Sequence, residues 1–260
     1  MNAITNAIAG VPAVAEAVEV LLAARREHRL LSELPATARP STRDEAYAVM
    51  NEVARRLGPV TAWKVGGPAP DAEPTCAPIN AATLYFDTER LPASQFHVIG
   101  IEAEIVYRLA RDLPVGDRPW TREEVLDAVG SVHPAFEICD TRFVTYGAQD
   151  ALSHMADQAN HGALIVGKAV ENWRAVDPVR LPITLEIDGK AAASVVGGNS
   201  AGDPVNLLTW LANVGSRPFG GLHAGDTVTT GSCTGTIFIK PGARCVARYE
   251  GFGTIALTVA

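Results

Sequence analysis

Cysteine is scarce in this chain. There are four among 260 residues, Cys76, Cys139, Cys233 and Cys245, and no C-x-x-C pair. That scatter argues against a zinc site or a disulfide framework and predicts reduced thiols in a cytoplasmic protein. Basic charge is also short, with 22 Lys and Arg against 29 Asp and Glu and a formal net charge of −7. No basic run offsets the deficit, which argues against a nucleic-acid partner. Long apolar runs are missing too. The longest, Ile8 to Ala24, is interrupted by Pro12, Glu16 and Glu19 with no basic segment ahead of it. It reads as neither a membrane span nor a signal peptide, so no membrane partner is expected. There is no internal repeat and no low-complexity segment. What remains is 47% hydrophobic and 20% charged, the balance of a globular protein with one large domain, or one domain and a small appendage.

The chain divides near residue 60. Val14, Val18, Leu21 and Leu22 recur at helical spacing, with Arg25, Arg26, His28 and Arg29 at the C-terminal pole. Ser41 or Thr42 caps a second helix whose buried stripe would be Tyr47, Met50, Val53 and Leu57. These two helices predict an N-terminal appendage over 1–60, followed by a β-rich catalytic domain over 61–260. Within the latter, Thr61 to Pro68 reads as a short strand and turn, and 68–80 as a Pro- and Ala-rich loop. Thr121 to Glu124 is a capping-box pattern for a helix through Val129. Asp188-Gly189 between two apolar runs predicts a hairpin, and Asp203-Pro204 opens another helix.

The chemistry gathers on the stretch from Val98 to Leu109, which reads as a strand. Residues i and i+2 of a strand share a face, so Glu102 and Glu104 point the same way with Cα atoms roughly 6.6 Å apart. The pair is either a solvated face or two ligands for a hard divalent cation such as Mg²⁺. The stretch from His133 to Asp140 reads as a second strand. There Glu137 points away from Phe136 and Ile138 and could supply a third carboxylate, while Asp140, of opposite parity at the strand end, is expected to cap a turn. Lys64 faces opposite to Trp63 and Val65. It is either an exposed edge lysine or a buried ammonium that needs a partner or a lowered pKa. His133 reads as a packing residue, and His154 and His161 as structural or surface residues. Thr230-Gly231-Ser232 is either an ordinary turn or an anion cradle made by backbone N–H groups.

Taken in order, several motifs carry a resemblance: Lys64-Val65-Gly66, then Glu102-Ala103-Glu104, then Pro134-Ala135-Phe136-Glu137. Ala224-Gly225-Asp226-Thr227-Val228-Thr229-Thr230-Gly231-Ser232 and Glu250-Gly251-Phe252-Gly253 follow. Over roughly residues 40–258 the chain resembles the 2-keto-4-pentenoate hydratase branch of the fumarylacetoacetate hydrolase superfamily, which also holds 4-oxalocrotonate decarboxylases. The resemblance implies an α+β, β-rich fold with a mixed, rolled sheet. It implies Mg²⁺ or Mn²⁺ held by Glu102, Glu104 and Glu137, with Lys64, Thr230 and Ser232 at the substrate. It also implies a homo-oligomer acting on a small 2-oxo acid, as a metal-dependent hydro-lyase that hydrates a 2-hydroxy-dienoate in aromatic catabolism. Near an ion, Lys64 is expected to titrate towards neutrality. The alternatives are decarboxylation, C–C hydrolysis of an acylpyruvate, and a non-catalytic family member. The hydrolysis would need a His–Glu pair, and neither His28 nor His97 has an evident partner. A second carboxylate on the substrate would call for Arg142 or Arg217. One departure stands out: the branch carries an acid in a P-D-F-G-like segment, where this chain reads Ala77-Pro78-Ile79-Asn80.

Overall fold

The computed structural model describes residues 11–260, so the beginning of the apolar run, Ile8 to Gly10, lies outside the described residues. Helix α1 (Pro12–Arg26) starts on a proline and ends on Arg25 and Arg26. Helix α2 (Arg43–Leu57) is capped by the Thr42 hydroxyl, which accepts from Glu45 N, a bond typically contributing about 1 kcal/mol. Val14, Val18 and Leu21 of α1 pack with Val49 and Val53 of α2 in a small core that also includes Leu34 and Phe143. Leu57, expected in the buried stripe, is instead 37% exposed, because α2 ends there and the chain turns at Gly58.

Fifteen strands follow the two helices in the described chain. They are β1 (Val60–Gly66), β2 (Thr75–Asn80), β3 (Leu84–Phe86), β4 (Arg90–Leu91), β5 (Gly100–Leu109), β6 (Leu113–Pro114), β7 (Val129–Cys139), β8 (His161–Val166), β9 (Pro182–Ile187), β10 (Lys190–Val196), β11 (Gly221–Leu222), β12 (Thr227–Thr229), β13 (Ile237–Phe238), β14 (Arg244–Tyr249) and β15 (Gly253–Val259). Short helices α3 (Arg122–Ala128), α4 (Ala151–Ala156) and α5 (Pro204–Trp210) intervene. The main sheet runs β2-β1-β12-β5-β7-β8-β3, with β13 beside β5. Pairs β1–β12 and β3–β8 are parallel and the rest antiparallel, so the sheet is mixed, and it curls as the fold class predicted. A second sheet runs β10-β9-β14-β15-β4.

Parity along β5 separates two environments. Ile101, Ala103, Ile105 and Tyr107 enter the large core with Ile183, Leu185, Ala247 and Leu257 of the second sheet. The even residues face the other way, where Ala62, Ile79, Val106, Ala135 and Leu164 form a separate apolar floor. The Asp188-Gly189 hairpin forms as expected, with both residues at positive φ. Residues 75–80 correct the loop reading, since they form β2 and pair with β1 from Gly66↔Thr75 to Val60↔Asn80. Pro78 is tolerated because β2 is an edge strand. Strand β7 starts at Val129, four residues before the expected start.

Candidate metal centre

Strand β5 sends Glu102 and Glu104 to the curled face, and β7 pairs with it so that Glu137 stands directly opposite Glu102. Glu104 and Glu137 are each 1% exposed and Glu102 is half-buried. Three carboxylates this close would be strongly unfavourable if left to one another. Each has one oxygen fastened by the protein. Glu102 Oε1 accepts from the Thr236 hydroxyl. Glu104 Oε2 accepts from the Thr229 hydroxyl and from Gly231 N at 3.0 Å. Glu137 Oε1 accepts from Lys64 Nζ at 2.7 Å and from His161 Nδ1 at 3.0 Å.

The second oxygen of Glu104, Oε1, is buried without any hydrogen-bond partner. Burial, then the charges of Glu137 and Glu102, push the Glu104 carboxyl well above the ordinary carboxylate range. Glu137 goes the opposite way: burial pushes it up, but Lys64 and His161 outweigh burial and hold it low. A buried, unpartnered carboxylate oxygen among like charges is what an oxygen-seeking cation would satisfy, and three carboxylates are the donor set of Mg²⁺ or Mn²⁺. The residues present therefore fit such an ion. Donor atoms of Glu102, Glu137 and Cys139 lie within 4.8 Å of one another, whereas Glu104 does not join Glu102 and Glu137 at that spacing and would have to turn inward to share an ion with them.

The position of this cluster follows from how the neighbouring strands end. Strand β12 pairs with the C-terminal half of β5 up to Thr229↔Val106, and β13 takes up β5 again at Ile237↔Ile101. Residues 230–236 leave the sheet between them and lie over Glu102 and Glu104. Asn199 Nδ2 donates to Thr230 O at 2.7 Å and holds that turn.

Lys64 is half-buried, with its side chain 17% exposed, and has the partner that the buried reading called for. It also donates to Ala159 O at 3.0 Å. That carbonyl is presented by three consecutive left-handed residues, Gln158, Ala159 and Asn160 at φ 52°, 49° and 61°, each a strained conformation for a non-glycine residue. Gln158 Nε2 donates to Pro78 O at 2.8 Å and helps pin the bend. In the protein alone burial lowers the Lys64 pKa, but Glu137, Cys139 and Glu102 outweigh burial and keep the ammonium charged; the expected fall concerns a lysine beside a bound cation. Across the ladder Lys64 faces the Ala77 methyl.

His161 needs a larger role than the sequence suggested. It is 2% exposed, and while Nδ1 holds Glu137, Nε2 meets the Thr83 hydroxyl at 3.0 Å. The Thr230 hydroxyl, expected at the substrate, donates instead to Ile105 O at 3.0 Å and is fully buried. Thr230 thus fixes the turn, and Ser232 remains the half-buried hydroxyl on it. Arg142 is unavailable to a substrate, because Asp157 and the carbonyls of Asp157 and His161 hold its guanidinium in a buried network. Arg217 donates to Asn213 O beside a surface cleft that includes Trp120. His28 and His97 stack on each other with centroids 4.0 Å apart, which does not make the His–Glu pair that hydrolysis would need. Asp140 caps as expected, accepting from His97 N and Val98 N. A cleft of about 400 Å³ lined by Ile105, Tyr107, Val132 and Trp173 opens on the opposite face of β5 and is separate from the carboxylates.

Comparison with known proteins identifies the family and the fold. Residues 47–260 match the family model described as fumarylacetoacetate (FAA) hydrolase C-terminal. A 2-keto-4-pentenoate hydratase of Paraburkholderia xenovorans is 28% identical over 252 residues, covering 92% of each chain. A 2-hydroxyhexa-2,4-dienoate hydratase of Comamonas testosteroni is 31% identical over 161 residues, 60% of this chain and 58% of that one. The solved 4-oxalocrotonate decarboxylase of Pseudomonas putida, complexed with magnesium and adipate, superposes with a TM-score of 0.83 at 23% identity, over 95% of this chain and 97% of that one.

Proposed function

Because the chain belongs to the fumarylacetoacetate hydrolase family, we propose that it is a divalent-metal-dependent hydratase. It would add water to a 2-hydroxy-dienoate, through its 2-oxo-enoate tautomer, to give a 4-hydroxy-2-oxo acid in aromatic-compound breakdown. Hydratase relatives matched along nearly the whole chain support the reaction class. The observation that carries the reading is the unpartnered Glu104 Oε1 beside Glu102 and Glu137, with the Lys64 ammonium next to them. Glu102, Glu104 and Glu137 would hold Mg²⁺ or Mn²⁺. When bound, the ion supplies Lewis-acid polarisation of a 2-oxo acid.

The residues of the chain do the rest. Lys64, kept charged by Glu137, stabilises the negative charge that gathers on the substrate 2-oxygen as a proton and then water are added. Ser232, on the turn that Gly231 and Thr230 anchor to β5, orients the substrate carboxylate. His161 and Ala159 O fix Glu137 and Lys64 so that neither side chain swings away. Of the two arginines considered for a second carboxylate, Arg142 is locked in a buried network and Arg217 lines a surface cleft that holds none of the three glutamates, which favours a substrate with an uncharged tail over the diacid of a decarboxylase. Four buried free cysteines support a reducing, cytoplasmic setting. Exposed Phe86, Val144, Val196 and Phe238 support self-assembly. Among the described residues no helix is long and apolar enough to cross a membrane.

The test is mass spectrometry of products from 2-hydroxypenta-2,4-dienoate and from 2-oxohex-3-enedioate, each with Mg²⁺ and with a chelator. Metal-dependent gain of one water from the first compound is expected. Loss of CO₂ from the diacid would replace the hydratase with a decarboxylase, and no change in either would overturn both.

A further inference from the structure

Beside the three carboxylates lies a group that oxygen-seeking metals have no use for. Cys139 is two residues after Glu137 on β7, so both side chains face the same side. Its ladder partner is Gly100, two residues before Glu102 on β5. The thiol is 3% exposed and free. Its sulfur and one oxygen each of Glu102 and Glu137 lie within 4.8 Å of one another, the one such trio of metal-binding side chains among the described residues. The space around it depends on glycine. A Cβ on Gly100 would come within 3.3 Å of the Cys139 Cβ and 2.6 Å of Thr236 Cγ2. A second sign that this pocket is built for an ion is Glu104 Oε1, buried and unpartnered on the same face.

We propose that Cys139 acts as a sulfur donor at this centre, so that thiophilic divalent ions such as Zn²⁺ or Co²⁺ are taken up by Glu102, Glu137 and Cys139. Ligand atoms at about 2.0–2.2 Å for oxygen and about 2.3 Å for sulfur need only a small rotation of these side chains to meet on one ion. The thiol loses its proton to solvent as the bond to the ion forms, and no redox change is involved. Soft thiolate shifts preference from Mg²⁺ towards zinc. The centre then holds either of two ions: Mg²⁺ on oxygen alone, or a thiophilic ion on a mixed set. This rests on the carboxylates holding a divalent ion at all.

The experiment separates the two claims. Mg²⁺ is first titrated calorimetrically into the full chain, which is then loaded with Zn²⁺ for X-ray absorption at the zinc edge and with Co²⁺ for near-ultraviolet spectra. A sulfur scatterer at about 2.3 Å and a thiolate-to-cobalt charge-transfer band are expected, and both vanish in Cys139→Ala. The preference for Zn²⁺ over Mg²⁺ drops by roughly 10- to 100-fold in that variant, while the Mg²⁺ titration moves far less. The unsubstituted chain alone decides the sulfur question, even if the variant folds poorly. Mg²⁺ binding with zinc surrounded only by oxygen and nitrogen overturns the cysteine proposal and leaves the carboxylate centre standing. Failure to bind any divalent ion overturns both. Sulfur persisting in Cys139→Ala assigns it to another residue and also overturns the proposal.

Discussion

Lys64 Nζ reaches Glu137 Oε1 at 2.7 Å across two intervening strands, β12 and β5. A flat sheet would hold the backbones of strands three positions apart roughly 14 Å from each other. Only because the sheet curls do side chains from β1 and β7 meet, and the pair both reports that curl and places a cation against the carboxylate cluster.

Lys64→Met should therefore separate binding from turnover. Mg²⁺ affinity, measured calorimetrically, is retained or increased because a competing cation is gone, while hydration is abolished. The metal-free variant is destabilised by about 3–5 kcal/mol, as when one partner of a buried pair is removed, and Mg²⁺ restores much of that loss. Undiminished activity removes Lys64 from the mechanism.

Thr229 acts through Glu104, to which its buried hydroxyl donates. Thr229→Val leaves that carboxylate with Gly231 N alone, costs about 1–3 kcal/mol in chemical denaturation, and weakens Mg²⁺ binding by roughly 10- to 100-fold. Thr229→Ser keeps the donor and recovers most of the affinity. Equal affinities in Val and Ser variants would show the hydroxyl to be irrelevant.

Gly100→Ala adds a methyl 2.6 Å from Thr236 Cγ2 and 3.3 Å from Phe238 Cε1. Overpacking costs about 1–3 kcal/mol and displaces the Thr236 hydroxyl from Glu102. Lower denaturation midpoint and weaker Mg²⁺ binding are expected together. A loss of stability with unchanged metal affinity would detach Thr236 from the site.

His133 sits well away from the carboxylates, with Nδ1 2.8 Å from Gly167 O and Nε2 2.8 Å from the Ser131 hydroxyl. Burial is the largest cause that lowers its pKa below 6.5. As pH falls through that value the unfolded chain takes up the proton first, so stability falls with pH from about 7 downward. His97, His154 and His161 are lowered by burial with the same sign, and Glu104, raised, opposes them. Melting temperatures of His133→Gln between about pH 7.5 and 5.5 should decline less steeply than those of the unsubstituted chain. Parallel slopes would show that His133 titrates normally.

Local periodicity carried much of this structure. The parity that put Glu102 and Glu104 together, the Thr121 cap with its Glu124 partner, and the Asp188-Gly189 turn are all decided by residues within a few positions of one another. Motif order carried the family. What stayed hidden is non-local. Thr229 and Thr236 stand 125 and 134 positions from the acids they support, and nothing in the spacing of His161 points to Glu137. Strand β2 was masked by Pro78, which an edge position permits. The left-handed run at Gln158–Asn160 contains no glycine to announce it. It is held by Lys64 and by Gln158 bonding to Pro78 O, contacts that exist only in the folded chain.

The most direct measurement is calorimetric titration of Mg²⁺ into the full chain and into Glu102→Gln, Glu104→Gln and Glu137→Gln, with folding checked by circular dichroism. One ion per chain, with affinity lost or severely reduced in all three folded variants, is the predicted result. Retention of Mg²⁺ affinity in all three would contradict the carboxylate centre on which the proposed chemistry rests.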